Sequence, residues 1–268
     1  MKLVALPEAR RPAALLAVAL LVTACGPAPR HEAGEHTGTP PSLAGGAHLL
    51  VTTDNGARLR PAESDRAALD PEITGRWSHH GDDWVLDLSC PEESDQGGRE
   101  CPRMPVVQVP ARLAVTVRAR NAGIDVADVA AALDLTTVNG DVTVVRAGLP
   151  DADLRLTTRN GSVHADAVDS ARLDAGTVNG DVTLTGGSPP ARLVATTTNG
   201  SVRVVLPEDA PAYRTEATTR NGRTSVTVPA PASGERARYG MTLTTVNGDV
   251  DAVRGRLPTG HRTTSDPR

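Results

Sequence analysis

All eight asparagines of this 268-residue chain fall in one recurring phrase, and seven are followed directly by glycine: Asn55, Asn139, Asn160, Asn179, Asn199, Asn221 and Asn247. The exception is Asn121, in Asn121-Ala122-Gly123. From Asn121 to Asn247 successive asparagines are 18, 21, 19, 20, 22 and 26 residues apart. A period near twenty residues marks a stacked repeat, in which each unit covers its neighbour's core, and not a single globular core.

The residues around each asparagine say what the unit is. Six and four places before it stand apolar pairs such as Val115 and Val117, Leu133 and Leu135, Leu154 and Leu156. Three and five places after it stand Ile124 and Val126, Val142 and Val144, Val182 and Leu184, with Arg58 and Thr224 as departures. Apolar residues two apart are strands with one buried face. The parity changes from even offsets before the asparagine to odd offsets after it, which an uninterrupted strand cannot do without exposing one half. The chain therefore turns there, and asparagine and glycine both accept the positive φ of a tight corner. The corners are Asn139-Gly140, Asn160-Gly161, Asn179-Gly180, Asn199-Gly200, Asn221-Gly222 and Asn247-Gly248. A threonine precedes each of these asparagines by two places, and in-register stacking makes ladders of the threonines and of the asparagines.

Asn-Gly between alternating strands is also a strong hairpin signal. A meander of such hairpins, however, is a sheet of about sixteen strands with one apolar face, larger than open twisted sheets usually become. No segment after Cys101 has helical periodicity to cover that face. In a solenoid the apolar half before the turn packs on the apolar half after it. The residue after Asn-Gly fits stacking too: Asp141, Ser162, Asp181, Ser201, Arg223, Asp249, so that serines separate the first aspartates. The expected fold is all-β, a single-stranded β-solenoid (β-helix-like) with rungs of about twenty residues and an N-terminal hairpin cap.

The phrases Thr-Val-Asn-Gly-Asp-Val and Thr-Thr-Asn-Gly-Ser-Val resemble the β-strand-repeat family of bacterial surface proteins labelled "putative adhesin", a domain of unknown function. Val107-Gln108-Val109-Pro110 and the preceding cysteine loop are similar to its lipoprotein members. The resemblance covers residues 45 to 253 and is specific for fold. It implies no catalytic residues and no cofactor, because the family carries none to transfer.

The N-terminus predicts an address. Lys2, Arg10 and Arg11 precede an apolar run from Pro12 to Val22, the length of a secretory signal core. Leu21-Val22-Thr23-Ala24-Cys25 looks like a bacterial lipobox, which implies that residues 1–24 are a signal peptide and that Cys25 is lipidated. More than one acyl chain makes attachment stable, at about 0.8 kcal/mol per buried methylene. The implied location is the extracytoplasmic face of the cell membrane, with residues 25–42 as lipidated cysteine and flexible tether. Removing residues 1–24 takes the formal charge from −4 to −6, a poor match for nucleic acid. Cys90 and Cys101 bracket a polar loop, and in an exported protein that arrangement favours a disulfide over a metal site. The expected organisation continues with an N-terminal cap over 43–110, the repeat solenoid over 111–253 and a polar tail over 254–268.

Candidate chemistry is sparse. Trp77 and Trp84 flank His79-His80-Gly81-Asp82-Asp83 symmetrically, as a hairpin places a cross-strand aromatic pair, and plugging the solenoid end competes with sugar stacking for their role. His79, His80, Asp82 and Asp83 form the one local cluster able to hold a metal, but adjacent strand residues point to opposite faces, so no metal site is expected. His31-Glu32-Ala33-Gly34-Glu35-His36 misses the zinc-peptidase spacing by one residue, and Leu257-Pro258-Thr259-Gly260 stops one short of a sortase signal. No nucleophile and base fall together, and catalytic residues are expected to be none. The expectation is a non-enzymatic envelope protein binding an envelope protein or polysaccharide. The alternative is a polysaccharide lyase or hydrolase, but such enzymes favour aromatic subsites and aromatics are 1% of this chain. Cys25→Ala should move the protein out of the membrane fraction and leave its N-terminus unacylated, measured by fractionation and intact mass.

Overall fold

The computed structural model describes residues 36–37, 47–71, 73, 75–80, 82–90, 104–234 and 237–255. Cys25, Cys101, the leader, most of the tether and residues 256–268 lie outside them. All described residues belong to the unit Ala33–Arg268, and among the described residues no helix is long and apolar enough to cross a membrane.

Alternation of valine, leucine and alanine with polar residues builds two sheets that share one core. Strands that precede a corner lie in the first sheet: Ala114–Arg118, Ala132–Thr136, Gly148–Thr157, Arg192–Thr196 and Gly240–Thr244 among them. Strands that follow one lie in the second: Ile124–Ala127, Val142–Val145, Val182–Gly186, Val202–Leu206 and Val250–Arg254. Neighbouring rungs pair in parallel and in register, Leu133 with Val115 and Leu154, Val142 with Ile124 and Val163. Inward residues of both sheets, from Leu133, Leu135, Val142 and Val144 to Leu243, Val250 and Ala252, are buried in one continuous column. Each buried valine or leucine contributes about 1.5–3 kcal/mol by leaving water. The fold is the all-β solenoid, not a hairpin meander.

The return corner, seven residues after the asparagine, works differently. Asp128, Arg146 and Ala167 take left-handed φ values of 60°, 47° and 50°. There the strand Val163–Gly176 passes without a break from the second sheet into the first. Arg146 donates two hydrogen bonds to Asp128 at 2.7 and 3.0 Å, tying adjacent return corners together. Those bonds hold the Asp128 carboxyl below its ordinary range.

Rung order departs from chain order at both ends. The Asn247 rung lies between those of Asn199 and Asn221: Leu193 pairs with Met241, and Met241 with Thr215. Likewise His48–Thr52 lies between Asp83–Asp87 and Ala114–Arg118. Burial explains the first exchange. The Asn247 rung turns Met241, Leu243, Val250 and Ala252 inward, and all are buried, whereas the Asn221 rung offers Thr215, Ala217, Thr224 and Val226. Placing the more apolar rung inside removes more apolar surface from water.

The opposite end carries antiparallel strands. Arg76–His80 and Asp83–Asp87 form a hairpin, joined on its far edge by His36–Thr37, a short strand within the stretch expected to be tether. Ala68–Leu69 closes the second sheet against Val106–Val109. The tryptophans are not opposite one another: Trp77 pairs with Leu86 and Trp84 with His79, because the turn is centred one residue later than the symmetric spacing suggests. Trp77 is buried and Trp84 packs partly against the core, whose end they cover. The first corner is also one residue shorter than the others, so Ala57 and Leu59 face inward while Arg58 pairs with Asp125 on the outer side.

The rung exchange makes a direct prediction. Val250 is 0% exposed and Val226 is 38% exposed, the reverse of what chain order demands. Val250→Asp should therefore cost about 4 kcal/mol or more, as an unpaired charge in a core does, and Val226→Asp about 0.5 kcal/mol or less, read by chemical denaturation at low protein concentration.

Candidate binding face

The corner edge is built from the core outward. The threonine two places before each asparagine points inward, so its hydroxyl must find a protein partner. Thr158, Thr177, Thr197, Thr245 and Thr219 donate to the carbonyls of Gly140, Gly161, Gly180, Gly200 and Gly248 in the neighbouring rung, each at 2.8 Å. Thr137 donates to Ala122 at 2.7 Å. The threonines thus bond not to each other, as a ladder would, but to the next corner's backbone.

Glycine is required at that corner for two reasons. Gly180, Gly200 and Gly248 have φ of 145°, 150° and 149°. A Cβ on them would also lie only 2.2, 2.0 and 2.1 Å from the carbonyl oxygen of the glycine one rung away. The corner asparagines, by contrast, do not have positive φ; backbone freedom is not why they are there. Their amides form the ladder. Asn160 Nδ2 donates to Asn139 Oδ1, Asn179 to Asn160 and Asn199 to Asn179, each at 2.9 Å. Asn247 continues to Asn199 at 2.8 Å and Asn221 to Asn247 at 2.7 Å.

The next position locks the rung from the other side. Asp141 Oδ1 accepts from the Ser162 N–H at 2.7 Å, Ser162 Oγ from Asp181 at 3.1 Å and Asp181 Oδ1 from Ser201 at 2.7 Å. Ser201 Oγ then accepts from Asp249 at 3.1 Å and Asp249 Oδ1 from Arg223 at 2.8 Å. In stack order the row reads Asp141, Ser162, Asp181, Ser201, Asp249, Arg223, so acidic residues never adjoin. The row before the asparagines reads Val138, Arg159, Val178, Thr198, Val246, Arg220. These last side chains make no ladder bond, and Val178 is 42% exposed. The result is a continuous strip with a two-rung chemical repeat. At about 4.8 Å per rung its six rungs extend about 24 Å.

A second feature lies on the outer face of the first sheet, a shallow depression lined by Asp153, Arg155, Arg172, Asp174, Arg192 and Val194. Arg172 donates twice to Asp153, at 2.7 and 2.8 Å, and Arg155 lies 3.6 Å from Asp174. Hydrogen bonding to Asp153 raises the affinity of the Arg172 guanidinium for its proton. Both carboxylates are committed to arginines, which makes a charge lattice and not an acid–base pair. Sequence reading missed it, although charge sign does alternate five places before the asparagine, through Asp134, Arg155 and Asp174.

The remaining candidates are scattered. His79 stacks on Trp84 at 4.7 Å, while Asp83 reaches His48 Nδ1 at 3.4 Å in the adjoining rung. His79 and Asp83 are thus drawn to different neighbours. Among the described residues no three His, Cys, Asp or Glu side chains converge as a metal site needs. Cys90 follows the cap hairpin, and Cys101, the partner expected for it, lies outside the described residues.

A sequence profile described as Toastrack DUF4097 matches residues 111–253. Among solved structures, the chain is similar to a putative cell adhesion protein from Clostridium sporogenes, at 10% identity over 84% of this chain and 100% of that one, with a TM-score of 0.38. It is similar also to a putative adhesin from Bacteroides fragilis, at 10% identity over 82% of this chain and 97% of that one, with a TM-score of 0.40. No curated protein matches.

The corner bonds differ in burial, and their removal should differ in cost. Thr177→Val leaves the Gly161 carbonyl without its donor in a partly buried place and should cost about 1–3 kcal/mol. Asn179→Ala cuts two exposed ladder bonds that water can replace and should cost about 1 kcal/mol, both measured by urea denaturation.

Proposed function

The chain belongs to the Toastrack DUF4097 family, and from the corner strip we propose that it is a non-enzymatic, adhesin-like module that binds or scaffolds a component of the cell envelope. The observation that carries this reading is the division of labour along the strip. Threonine, asparagine, glycine and the aspartate–serine row are spent on holding the stack, while Val138, Arg159, Val178, Thr198 and Val246 stand beside them free of that task. A continuous, hydrogen-bonded row of this kind meets an extended partner, protein or polysaccharide, and not a small molecule in a pocket. Each ladder amide after Asn139 uses one of its two N–H donors internally and keeps the other for a ligand. Alternating apolar and cationic or hydroxyl side chains add the specificity that an amide row lacks.

In this reading Cys25 carries the lipid that holds the chain on the extracytoplasmic face of the membrane, and the bond between Cys90 and Cys101 closes the loop near the solenoid's capped end. The support is the order of charge, apolar run and small residues before Cys25, together with the polar loop between the other two cysteines.

Affinity capture from envelope extract tests the proposal. The chain should retain a partner that Arg159→Ala and Val178→Asp both weaken, at about 0.5 kcal/mol or less in fold stability, as exposed substitutions usually cost. Cleavage of cell-wall or capsular polysaccharide by the purified protein, abolished by replacing Asp141 or Asp181, would overturn the reading in favour of an enzyme.

A further inference from the structure

We propose that two copies of this chain join end to end at the Asn221 rung, each adding its last two strands to the other's sheets. The two ends of the stack differ. At one, antiparallel strands close both sheets. At the other, Arg214–Thr218 and Thr224–Val226 are outermost, and among the described residues each pairs on one side only, with Gly240–Thr244 and Val250–Arg254. Neither proline nor bulge, two of the devices that keep an edge from pairing, interrupts these strands, although the second is short and the first carries Arg214 and Glu216.

The backbone of that edge is ready to pair. Arg214 N–H and Thr218 C=O point into the stack, bonded to Tyr239 and Thr245. Arg223 C=O and Thr227 N–H likewise bond to Val250 and Ala252. Since N–H and C=O groups alternate sides along a strand, those of Thr215, Ala217, Thr224 and Val226 point outward from the end. The same four residues face the core side, and there their side chains are small.

One two-fold arrangement satisfies both sheets together. An axis parallel to the strands sets Thr215 against Val226 of the second copy, Ala217 against Thr224 and Glu216 against Ser225. Every outward backbone group then meets another, two exchanging pairs in each of two sheets, about eight hydrogen bonds. Core-facing side chains meet core-facing side chains, and corner meets corner. Asn221 ends the amide ladder as a donor to Asn247. Its own Oδ1 takes no ladder bond and falls opposite Arg220 of the second copy. The competing axis, perpendicular to the sheets, lays Arg214–Thr218 on its own copy. Setting Thr215 against Ala217 there places Glu216 on Glu216, and like charges directly opposite destabilise a pair. Charge therefore selects the first arrangement.

The test uses the full chain as Cys25→Ala, so that lipid does not itself bring copies together. Light scattering during gel filtration should give a dimer. Ala217→Pro removes an N–H that the stack does not use, and it should give a monomer with unchanged circular dichroism; Val226→Arg, at an exposed position of the second edge strand, should do the same. Under mild oxidation, Glu216→Cys mixed with Ser225→Cys should link, identified from the joined peptides, and Glu216→Cys alone should not. A monomer at every concentration, a dimer that survives both edge substitutions, or self-linking of Glu216→Cys overturns the proposal.

Discussion

The contact on which the structure depends is the approach of one corner glycine to the carbonyl of the glycine in the next rung. Without a Cβ the two backbones come close enough for a buried threonine to close onto the same carbonyl, and for asparagine amides to align outside it. Each rung of the regular stack thus exchanges a set of bonds with its neighbour: asparagine N–H, glycine N–H, threonine hydroxyl, asparagine amide, and the N–H after the glycine. At about 1 kcal/mol net for each, these bonds rival the burial of the inward leucines and valines, and none exists in an isolated rung. Stability is therefore a property of neighbours, as in other linear repeats.

That dependence makes the ends the decisive places. A rung in the middle has two neighbours and tolerates any apolar filling of the right size; a terminal rung has one and must manage an exposed face. The chain manages the two ends differently. At one it places the cap hairpin and tryptophans, and at the other it folds its last rung back inside and leaves a threonine- and alanine-lined rung outermost. Such an end is less costly to expose than one lined by Met241 and Leu243, and its regular edges retain the ability to pair.

Once the corner is spent on stacking, the surface left for the proposed recognition is narrow and well defined. It consists of the second N–H of each ladder amide and the row from Val138 to Arg220. Because the rungs are in register, the chemistry of that row repeats with every second rung. Rigidity here comes from the bonds beneath the row, so a partner meets a surface whose ordering cost has already been met.

The sequence alone determined the period, the strands, the corners and the inward residues, because these depend on spacing within a rung and on which residue types suit a corner. It foresaw the asparagine ladder, but it also credited the asparagines with backbone freedom that they do not use and gave the threonines a ladder of their own, since which atom bonds to which depends on the neighbouring rung. Only the tertiary structure decided the order of the rungs. A trace of that order was nonetheless written in the chain: with Asn247 placed before Asn221, Asp141, Asp181 and Asp249 fall on alternate rungs and Val138, Val178 and Val246 do the same, whereas in chain order both alternations fail at Arg220 and Arg223. Local spacing cannot say which rung lies outermost, because that choice is made by comparing the apolar surface of whole rungs, and such a comparison exists only once the stack does.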